Sequence, residues 1–238
     1  MTSWPLFPTF RTTYRKYQGK MTVKTTTEHY SLGEMFCGPG GLGLGAKKAS
    51  FKAGQVEHRF HHSWALDNHS DTCTTYEKNV LSQEKDAQVI HADIQDVTID
   101  DLPYVDGFLY GFPCNDFSIV GKSKGIEGLF GPLYSFGVEY INSNNPKFIL
   151  AENVSGISSS NDGKAFKRIL EELENAGSEG YKLSTHQYRF EDYGVPQARH
   201  RFIVVGFGND LDLSFRVPAP STPLSENKVS VRECLEDP

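Results

Sequence analysis

The chain has 238 residues, with 24 Lys and Arg against 30 Asp and Glu, and its net charge of -6 excludes a protein that grips nucleic acid over its whole surface. Hydrophobic residues make up 38% and aromatic residues 12%, which is enough for a globular core. No apolar run could span a membrane, and the four cysteines are too widely spaced for a disulfide framework or a zinc site, so we expect a cytoplasmic protein without membrane contact.

The first predicted segment, residues 1–30, is an arm rich in threonine with scattered lysines and arginines. It shows no hydrophobic periodicity, so we expect it to be loosely ordered. A basic arm that touches phosphate groups is the alternative. We expect one folded domain over residues 31–215, followed by a connector, residues 216–238, that is rich in proline, serine and charge.

A short strand, a glycine-rich turn and a helix-like stretch follow one another between Tyr30 and Ala49. Glycines let a backbone approach a ligand closely, and a helix N-terminus offers free N–H groups, so this pattern predicts a nucleotide cradle. Gly38, Gly40 and Gly43 fit G-x-G-x-x-G, a pattern that is equally compatible with a nicotinamide cofactor.

Acidic residues follow the next two predicted strands, residues 64–66 and 89–90. Asp67 could accept hydrogen bonds from ribose hydroxyls. Asp93 could accept a hydrogen bond from the amino group of adenine, with Ile94 covering the ring. Either aspartate could instead be a helix cap or a turn residue only.

The fourth predicted strand, residues 107–110, leads to Gly-Phe-Pro-Cys at 111–114. Cys114 therefore stands between a rigid strand and a glycine-rich loop, where a nucleophile is expected, and the alternative is a buried, inert cysteine. A helix and a fifth strand are predicted next, and Glu152 ends that strand. A thiol and a carboxylate at neighbouring strand ends could act as nucleophile and acid.

An amphipathic helix over residues 162–176 and two further strands complete the predicted domain. Arg199 and Arg201 alternate before the last strand, so they should point to one face of an extended segment. They could anchor a substrate and Glu152, or they could be a solvated pair.

The alternation of strands and helices predicts a doubly wound, mostly parallel α/β sheet with ligands at the carboxyl ends of the strands. A local histidine cluster, which comprises His58, His61 and His62, lacks matched ligand spacing, so no metal site is expected.

Taken together, these residues resemble the catalytic part of DNA (cytosine-5) methyltransferases over roughly residues 31–207. The turn from Phe36 to Gly41 resembles the family's cradle for S-adenosylmethionine, and residues 111–114 resemble its nucleophile motif. Residues 152–154 resemble its base-binding motif, and residues 197–201 resemble its arginine pair. One departure is Asn68, which stands where some members place an aromatic residue against the adenine.

The resemblance implies a Rossmann-like fold and the transfer of a methyl group from S-adenosylmethionine to carbon 5 of cytosine in double-stranded DNA, as in restriction–modification systems. It implies that Cys114 is the nucleophile, that Glu152 holds a flipped base, and that Arg199 and Arg201 assist. The implied cofactor contacts are Phe36, Gly38, Gly40, Gly41, Asp67, Asp93, Ile94, Pro113 and Leu133. The implied loop contacts to DNA are Ser118, Lys122 and Lys124.

Family members continue into a target recognition domain and further motifs, which these 238 residues do not include. We therefore expect the fold to be incomplete at its C-terminus. The chain could be a fragment, or one subunit of a split enzyme. The second subunit would then carry the target recognition domain and the C-terminal motifs that complete the cofactor site. If the source is bacterial, we expect association with the nucleoid. A non-catalytic binding module, an RNA-directed methyltransferase and a nicotinamide oxidoreductase are the remaining alternatives.

Overall fold

The computed structural model describes residues 26–113, 133–158 and 163–235, and within these segments the chain forms a sheet of eight strands. The strands are β1 (Thr26–Met35), β2 (Ser50–Ala53), β3 (Val56–Asp67), β4 (Gln88–His91), β5 (Gly107–Tyr110), β6 (Phe148–Val154), β7 (Tyr181–Arg189) and β8 (His200–Gly208). The helices are α1 (Gly41–Lys48), α2 (Ser70–Tyr76), α3 (Leu133–Asn144), α4 (Lys164–Glu174) and α5 (Val231–Cys234).

The strand order is β2-β3-β1-β5-β6-β8-β7, and β4 also pairs with β3. Five adjacent strands run parallel to one another, in the order β4, β3, β1, β5 and β6. β2 is antiparallel to β3, and β8 is antiparallel to both β6 and β7. Parallel neighbours require crossover connections, which bring the carboxyl ends of the central strands to one edge. The predicted α/β sheet, mostly parallel, is confirmed.

A cluster of aromatic rings lies in the core beneath the central strands. Trp64 of β3 and Phe108 of β5 both pack on Tyr140 of α3, with ring centroids 5.2 and 4.5 Å apart. The indole N–H of Trp64 and the hydroxyl of Tyr140 both donate to the carbonyl of Pro103, at 3.0 and 2.7 Å. These large buried side chains therefore satisfy their polar atoms while they fix α3 against the sheet.

The amphipathic stretch predicted over residues 162–176 forms α4 (Lys164–Glu174). Its side chains at helical spacing, Ala165, Ile169 and Leu173, are buried against the core. Because this face is apolar and the opposite face is charged, α4 covers the sheet next to β6 and β7.

Four elements differ clearly from the sequence-based expectations, and one of them is β3, which begins at Val56, eight residues before the predicted run 64–66. β1 begins at Thr26, four residues before the predicted start, and α1 begins inside the glycine stretch, at Gly41, because the glycines there adopt helical geometry. β2 was not predicted, since all four of its residues are exposed and it lacks an apolar pattern. No helix in the described part of the chain is long and apolar enough to cross a membrane.

Candidate active site

A cavity of about 340 Å³ lies at the carboxyl ends of β1, β3, β4 and β5. Its volume is in the range of small-molecule sites. Six of the nine predicted cofactor contacts line it: Phe36, Asp67, Asp93, Ile94, Pro113 and Leu133. The lining residues that were not predicted as contacts are Leu66, Asn68, Ala92, Gln95 and Gly111.

The other three predicted contacts, Gly38, Gly40 and Gly41, form the turn behind this wall and are absent from the lining. Gly38 (φ 51°) and Gly40 (φ 98°) have left-handed backbones, which favour glycine. A Cβ at Gly40 would lie 2.7 Å from Cγ2 of Val80. Gly38 and Gly40 therefore shape the turn through their backbone conformation, and Gly40 also lets it pack closely on Val80.

Phe36 joins β1 to the glycine turn with a φ of 57°, an unusual value for a residue with a side chain. The next residue is held in place, because the N–H of Cys37 donates to the carbonyl of Leu66 at 3.0 Å. A strained backbone of this kind persists where the surroundings fix it, and it often marks a functional site. Here it places the aromatic side chain of Phe36 on the cavity.

Asp67 ties the glycine turn to the start of α2. Its carboxylate accepts hydrogen bonds from the N–H of Gly38 (2.8 Å), the N–H of His69 (3.0 Å) and the hydroxyl of Thr72 (3.1 Å). A carboxylate can accept about four hydrogen bonds, so Asp67 retains capacity for a ligand hydroxyl. The structural role and the cavity-lining position therefore coexist in one residue.

Asp93 also has two roles. Its side chain accepts a hydrogen bond from the N–H of Gln95 at 3.0 Å and caps the short 3-10 helix Ile94–Asp96. Asp93 is therefore a helix-capping residue, and this role does not exclude a contact with a ligand. Asp93 and Ile94 nevertheless line the cavity, as the sequence-based prediction requires.

Glu152 lies on β6 and faces the two predicted arginines. Arg201 Nε is 2.9 Å and Arg199 Nη2 is 3.7 Å from Glu152 Oε1. Glu152 pairs with Ile203 across the sheet, so Arg201 is its diagonal neighbour on the same face of β8. The prediction that both arginines point to one face is confirmed.

The two arginines differ in their surroundings. The side chain of Arg201 is 19% exposed and that of Arg199 is 43% exposed. Arg201 also donates from Nη1 to the carbonyl of His200 at 2.8 Å, whereas its Nε makes no aligned hydrogen bond among the described residues. Arg201 is therefore the inner of the two cations, and Arg199 is the more accessible one.

Glu152 adjoins the cavity through its second oxygen. A Cβ built at Gly111, which lines the cavity, would lie 3.5 Å from Glu152 Oε2. Oε1 therefore faces the arginines while Oε2 lies close to Gly111, although Glu152 is not itself among the residues that line the cavity. The segment that starts at Gly111 leads directly to Cys114, so this wall, the carboxylate and the predicted nucleophile motif meet at the ends of β5 and β6.

Asn153 is a site residue that was not singled out from the sequence. It is 5% exposed, and its side-chain amide donates to the carbonyl of Phe112 at 3.1 Å. Its side-chain oxygen accepts from the N–H of Val154 at 2.8 Å. Buried and partly buried positions alternate along β6, and Asn153 is a polar residue at one of the buried positions. This polar residue among apolar ones was the feature of the sequence that could have indicated a specific hydrogen-bonding role. Asn153 ties β6 to the segment that precedes Cys114.

The predicted nucleophile and the loop contacts Ser118, Lys122 and Lys124 lie outside the described residues. Among the cysteines that are described, burial raises the pKa of the Cys37 and Cys73 thiols, which disfavours a reactive thiolate. In the described segments, no group of three or more His, Cys, Asp and Glu residues could hold a metal ion.

Comparison with known proteins identifies relatives of the chain. A family model described as C-5 cytosine-specific DNA methylase matches residues 30–238. Type II methyltransferase M.BbvI of Brevibacillus brevis is 50% identical over 199 residues, which cover 81% of this chain and 53% of that protein. Type II methyltransferase M.NgoFVII of Neisseria gonorrhoeae is 34% identical over 189 residues, 79% of this chain and 46% of that protein.

Solved structures share the fold. One is described as a prophage-encoded DNA modification methyltransferase from E. coli; it has a TM-score of 0.65 and 22% identity to this chain. The match covers 86% of this chain and 53% of that protein chain. Spodoptera frugiperda DNMT2 has a TM-score of 0.54 and 19% identity, and the match covers 79% of this chain and 53% of that protein chain. The chain spans about half the length of the curated relatives that it matches.

Proposed function

The chain belongs to the C-5 cytosine-specific DNA methylase family, and we propose from this premise that it is the catalytic part of an enzyme that methylates carbon 5 of cytosine in double-stranded DNA. One observation carries the proposal. Glu152 presents one oxygen to two arginines and has its other oxygen close to Gly111, a cavity-lining residue that begins the segment leading to Cys114. Because several of its relatives are Type II methyltransferases, we place it in a restriction–modification system.

We propose S-adenosylmethionine as the cofactor of the cavity, and the residues present fit it. Phe36, Ile94 and Leu133 offer apolar surface for an adenine ring, and Asp67 retains acceptor capacity for ribose hydroxyls. When bound, S-adenosylmethionine supplies an electrophilic methyl group. Asp93 is the acidic group proposed to meet the amino group of adenine, and its cap fixes its orientation.

The target carbon needs activation, because carbon 5 of cytosine is a poor nucleophile. In our proposal the Cys114 thiolate adds to carbon 6, so that a carbon–sulfur bond forms and the ring electrons become available at carbon 5. The Glu152 carboxyl group, protonated or sharing a proton with the base, donates that proton to ring nitrogen 3 and accepts a hydrogen bond from the exocyclic amine, and so stabilises the adduct. Methylated carbon 5 then loses its proton, and elimination of the Cys114 thiolate restores the aromatic ring.

The two arginines take separate roles in this proposal. Arg201, the inner cation, orients Glu152 through Oε1. Arg199 is more exposed and is assigned to the carbonyl oxygen of the base. The target base lies inside a duplex and must be flipped out to reach these groups. Ser118, Lys122 and Lys124 are assigned to the DNA loop around it, with the lysines on phosphates.

Recognition of the DNA sequence is assigned to protein outside these residues. The curated relatives are about twice as long as the matched region, and the net charge here is -6. We propose that residues 216–238 connect toward this recognition part and that a second polypeptide supplies it. A single longer chain is the simpler arrangement, and the experiment below separates the two.

The experiment measures transfer of labelled methyl groups from S-adenosylmethionine to mixed-sequence duplex DNA, with the chain alone and with the polypeptide encoded immediately downstream. Cys114→Ala should abolish transfer and retain cofactor binding, whereas the matched control Cys234→Ala, an exposed cysteine near the C-terminus, should retain both. Transfer to tRNA but not DNA would overturn the proposed substrate. Binding of NAD in place of S-adenosylmethionine would overturn the proposed reaction.

A further inference from the structure

Three buried polar side chains lie beneath the glycine turn and take no part in the proposed chemistry. Glu34 of β1 is 2% exposed, and His62 of β3 and Tyr76 of α2 are fully buried. The Tyr76 hydroxyl lies 2.7 Å from Glu34 Oε2 and 3.3 Å from His62 Nδ1. These three residues, the buried triad, form one continuous hydrogen-bonded chain.

Both ends of the buried triad meet Gly43, the third residue of α1. His62 Nε2 is 3.1 Å from the Gly43 carbonyl, and the Glu34 carboxyl group lies beside the same residue. A Cβ at Gly43 would lie 2.4 Å from the Tyr76 hydroxyl and 2.6 Å from Glu34 Oε2. The triad therefore closes around this glycine, and only the absence of a side chain allows the contact.

The positions of the hydrogen atoms in the buried triad can be inferred from the groups that can only accept a hydrogen bond. A carbonyl oxygen can only accept, so His62 Nε2 carries a hydrogen. If His62 is neutral, its Nδ1 accepts from Tyr76, and the Tyr76 oxygen can accept from a protonated Glu34. If Glu34 is ionised, Tyr76 donates to it and His62 Nδ1 must carry a hydrogen instead. Both fully bonded arrangements contain the same number of protons.

Burial favours the first arrangement. It raises the pKa of Glu34 from 4.5 to about 7, although the hydrogen bond from Tyr76 opposes the shift, and it lowers the pKa of His62. The other titratable groups that act on the triad are Cys37, His61, Asp67, Glu84 and Lys47. A neutral, protonated Glu34 thus avoids a buried charge.

The triad is connected to the cofactor cavity through the turn itself. The N–H of Leu44 donates to the carbonyl of Gly40 at 2.8 Å, and the N–H of Gly40 donates to the carbonyl of Cys37 at 3.1 Å. Gly38, two residues before Gly40, donates to Asp67, which lines the cavity. A displacement of the first turn of α1 would therefore reach Asp67 and Phe36.

We propose that Glu34, Tyr76 and His62 are positioning residues that share one proton, and that this proton holds α1 and the glycine turn in the conformation that binds S-adenosylmethionine. The proposal rests on the proposed function, since it concerns the same cavity. Loss of the proton leaves a buried carboxylate without a compensating cation and a His62 Nδ1 without a proton donor. The cost of this buried charge disfavours the conformation in which α1 and the glycine turn close over the triad.

The test compares S-adenosylmethionine affinity, measured by calorimetry, at about pH 6 and about pH 8. Wild-type affinity should fall about tenfold at the higher pH, because a group with a pKa of about 7 is then mostly deprotonated. Glu34→Gln mimics the protonated acid, since its amide can donate to Tyr76. It should match the wild type at the lower pH and lose the pH dependence.

Tyr76→Phe breaks the chain and should weaken binding several-fold at both pH values. The matched control is Tyr140→Phe, which removes a tyrosine hydroxyl bonded to Pro103 in the core and should leave affinity unchanged. Equal pH dependence in the wild type and Glu34→Gln would overturn the proposal, as would weak binding by Glu34→Gln at the lower pH.

A second measurement does not need the cofactor. NMR titration of the ¹³C-labelled Glu34 carboxyl group in the cofactor-free protein should show a midpoint well above the ordinary value of 4.5. A midpoint near 4.5 would overturn the shared proton even if binding is strong. Absence of wild-type binding together with a raised midpoint would instead overturn the cofactor assignment, and the triad's link to it, while retaining the shared proton.

Discussion

Replacement of Arg201 by methionine tests how Glu152 is held, because it removes the cation but keeps most of the apolar stem. Arg201 and Glu152 are 19% and 20% exposed, so their ion pair is intermediate between surface pairs and fully buried pairs. Exposed pairs contribute roughly 0.2–1 kcal/mol, and breaking a buried pair costs roughly 3–5 kcal/mol. Since Arg201 Nε makes no aligned hydrogen bond, we expect Arg201→Met to cost about 1–2 kcal/mol.

Arg199→Met is the matched control. Its guanidinium is 43% exposed and 3.7 Å from the same oxygen, so its removal should cost less than about 0.5 kcal/mol. Urea unfolding of both variants gives the free energy of unfolding. Combining each with Glu152→Gln gives a double-mutant cycle that isolates the pairwise energy.

The expected coupling energy is about 1 kcal/mol or more between Glu152 and Arg201 and close to zero between Glu152 and Arg199. Equal coupling to the two arginines, or a larger cost for Arg199→Met, would refute the assignment of Arg201 as the inner, orienting cation. In methyl-transfer assays the order should differ, because Arg199 is assigned to the substrate and its loss should act on turnover rather than on stability.

Three further predictions concern buried polar groups. Because the pKa of Glu34 is raised in the folded protein, its protonation contributes fully to stability below pH 4.5, and this contribution is lost as the pH rises through about 7. The free energy of unfolding of the wild type should therefore fall by about 3 kcal/mol relative to Glu34→Gln across that window. If urea unfolding shows the same pH dependence for both proteins, this prediction is contradicted. The Tyr110 hydroxyl is buried without a partner among the described residues, so Tyr110→Phe should leave stability unchanged or raise it by up to about 1 kcal/mol, and a clear loss in thermal unfolding would reveal a missed partner. Asn153→Ala removes the hydrogen bond to the Phe112 carbonyl, so it should lower the free energy of unfolding by about 1–3 kcal/mol and slow methyl transfer. Unchanged urea unfolding would show that this hydrogen bond does not stabilise the fold.

The elements that form the cavity were predictable because they are buried strands. β5 (Gly107–Tyr110) is buried at all four positions, so its sequence is continuously apolar and stands out from its polar flanks. Asp67 directly follows an apolar run and Asp93 follows another by three positions, and parallel strands bring such ends together. Strand-end positions alone account for Asp67, Asp93 and Ile94 in the cavity wall, whereas Phe36, Pro113 and Leu133 were expected from the family resemblance.

The roles of the glycines were less accessible to sequence analysis. The G-x-G spacing shows that a backbone must turn or approach a neighbour closely, but it does not identify the neighbour. For Gly40 the neighbours are Val80 and Tyr76, and for Gly43 they are Tyr76 and Glu34. The predicted direct contacts of Gly38, Gly40 and Gly41 to a cofactor thus remain proposals, whereas their role in shaping the turn follows from the structure.

The buried triad illustrates a further limit. Tyr76 lies 42 residues from Glu34 in the chain and 14 from His62, so no local pattern connects them. From the sequence, His62 belonged to a local histidine cluster, but β3 directs it to the interior while His61 pairs with Glu84 at 2.7 Å. Only the register of β1 against β3 brings Glu34 and His62 to the same helix.

The most direct test of the account is a covalent trap for the proposed nucleophile. Duplex DNA that contains 5-fluorocytosine is incubated with S-adenosylmethionine, the chain and the downstream polypeptide, and the adduct is mapped by peptide mass spectrometry. Fluorine cannot leave carbon 5 as a proton does, so elimination stalls. The account predicts a cofactor-dependent adduct on Cys114. An adduct on another cysteine, or methyl transfer to ordinary cytosine without any trapped adduct, would contradict it.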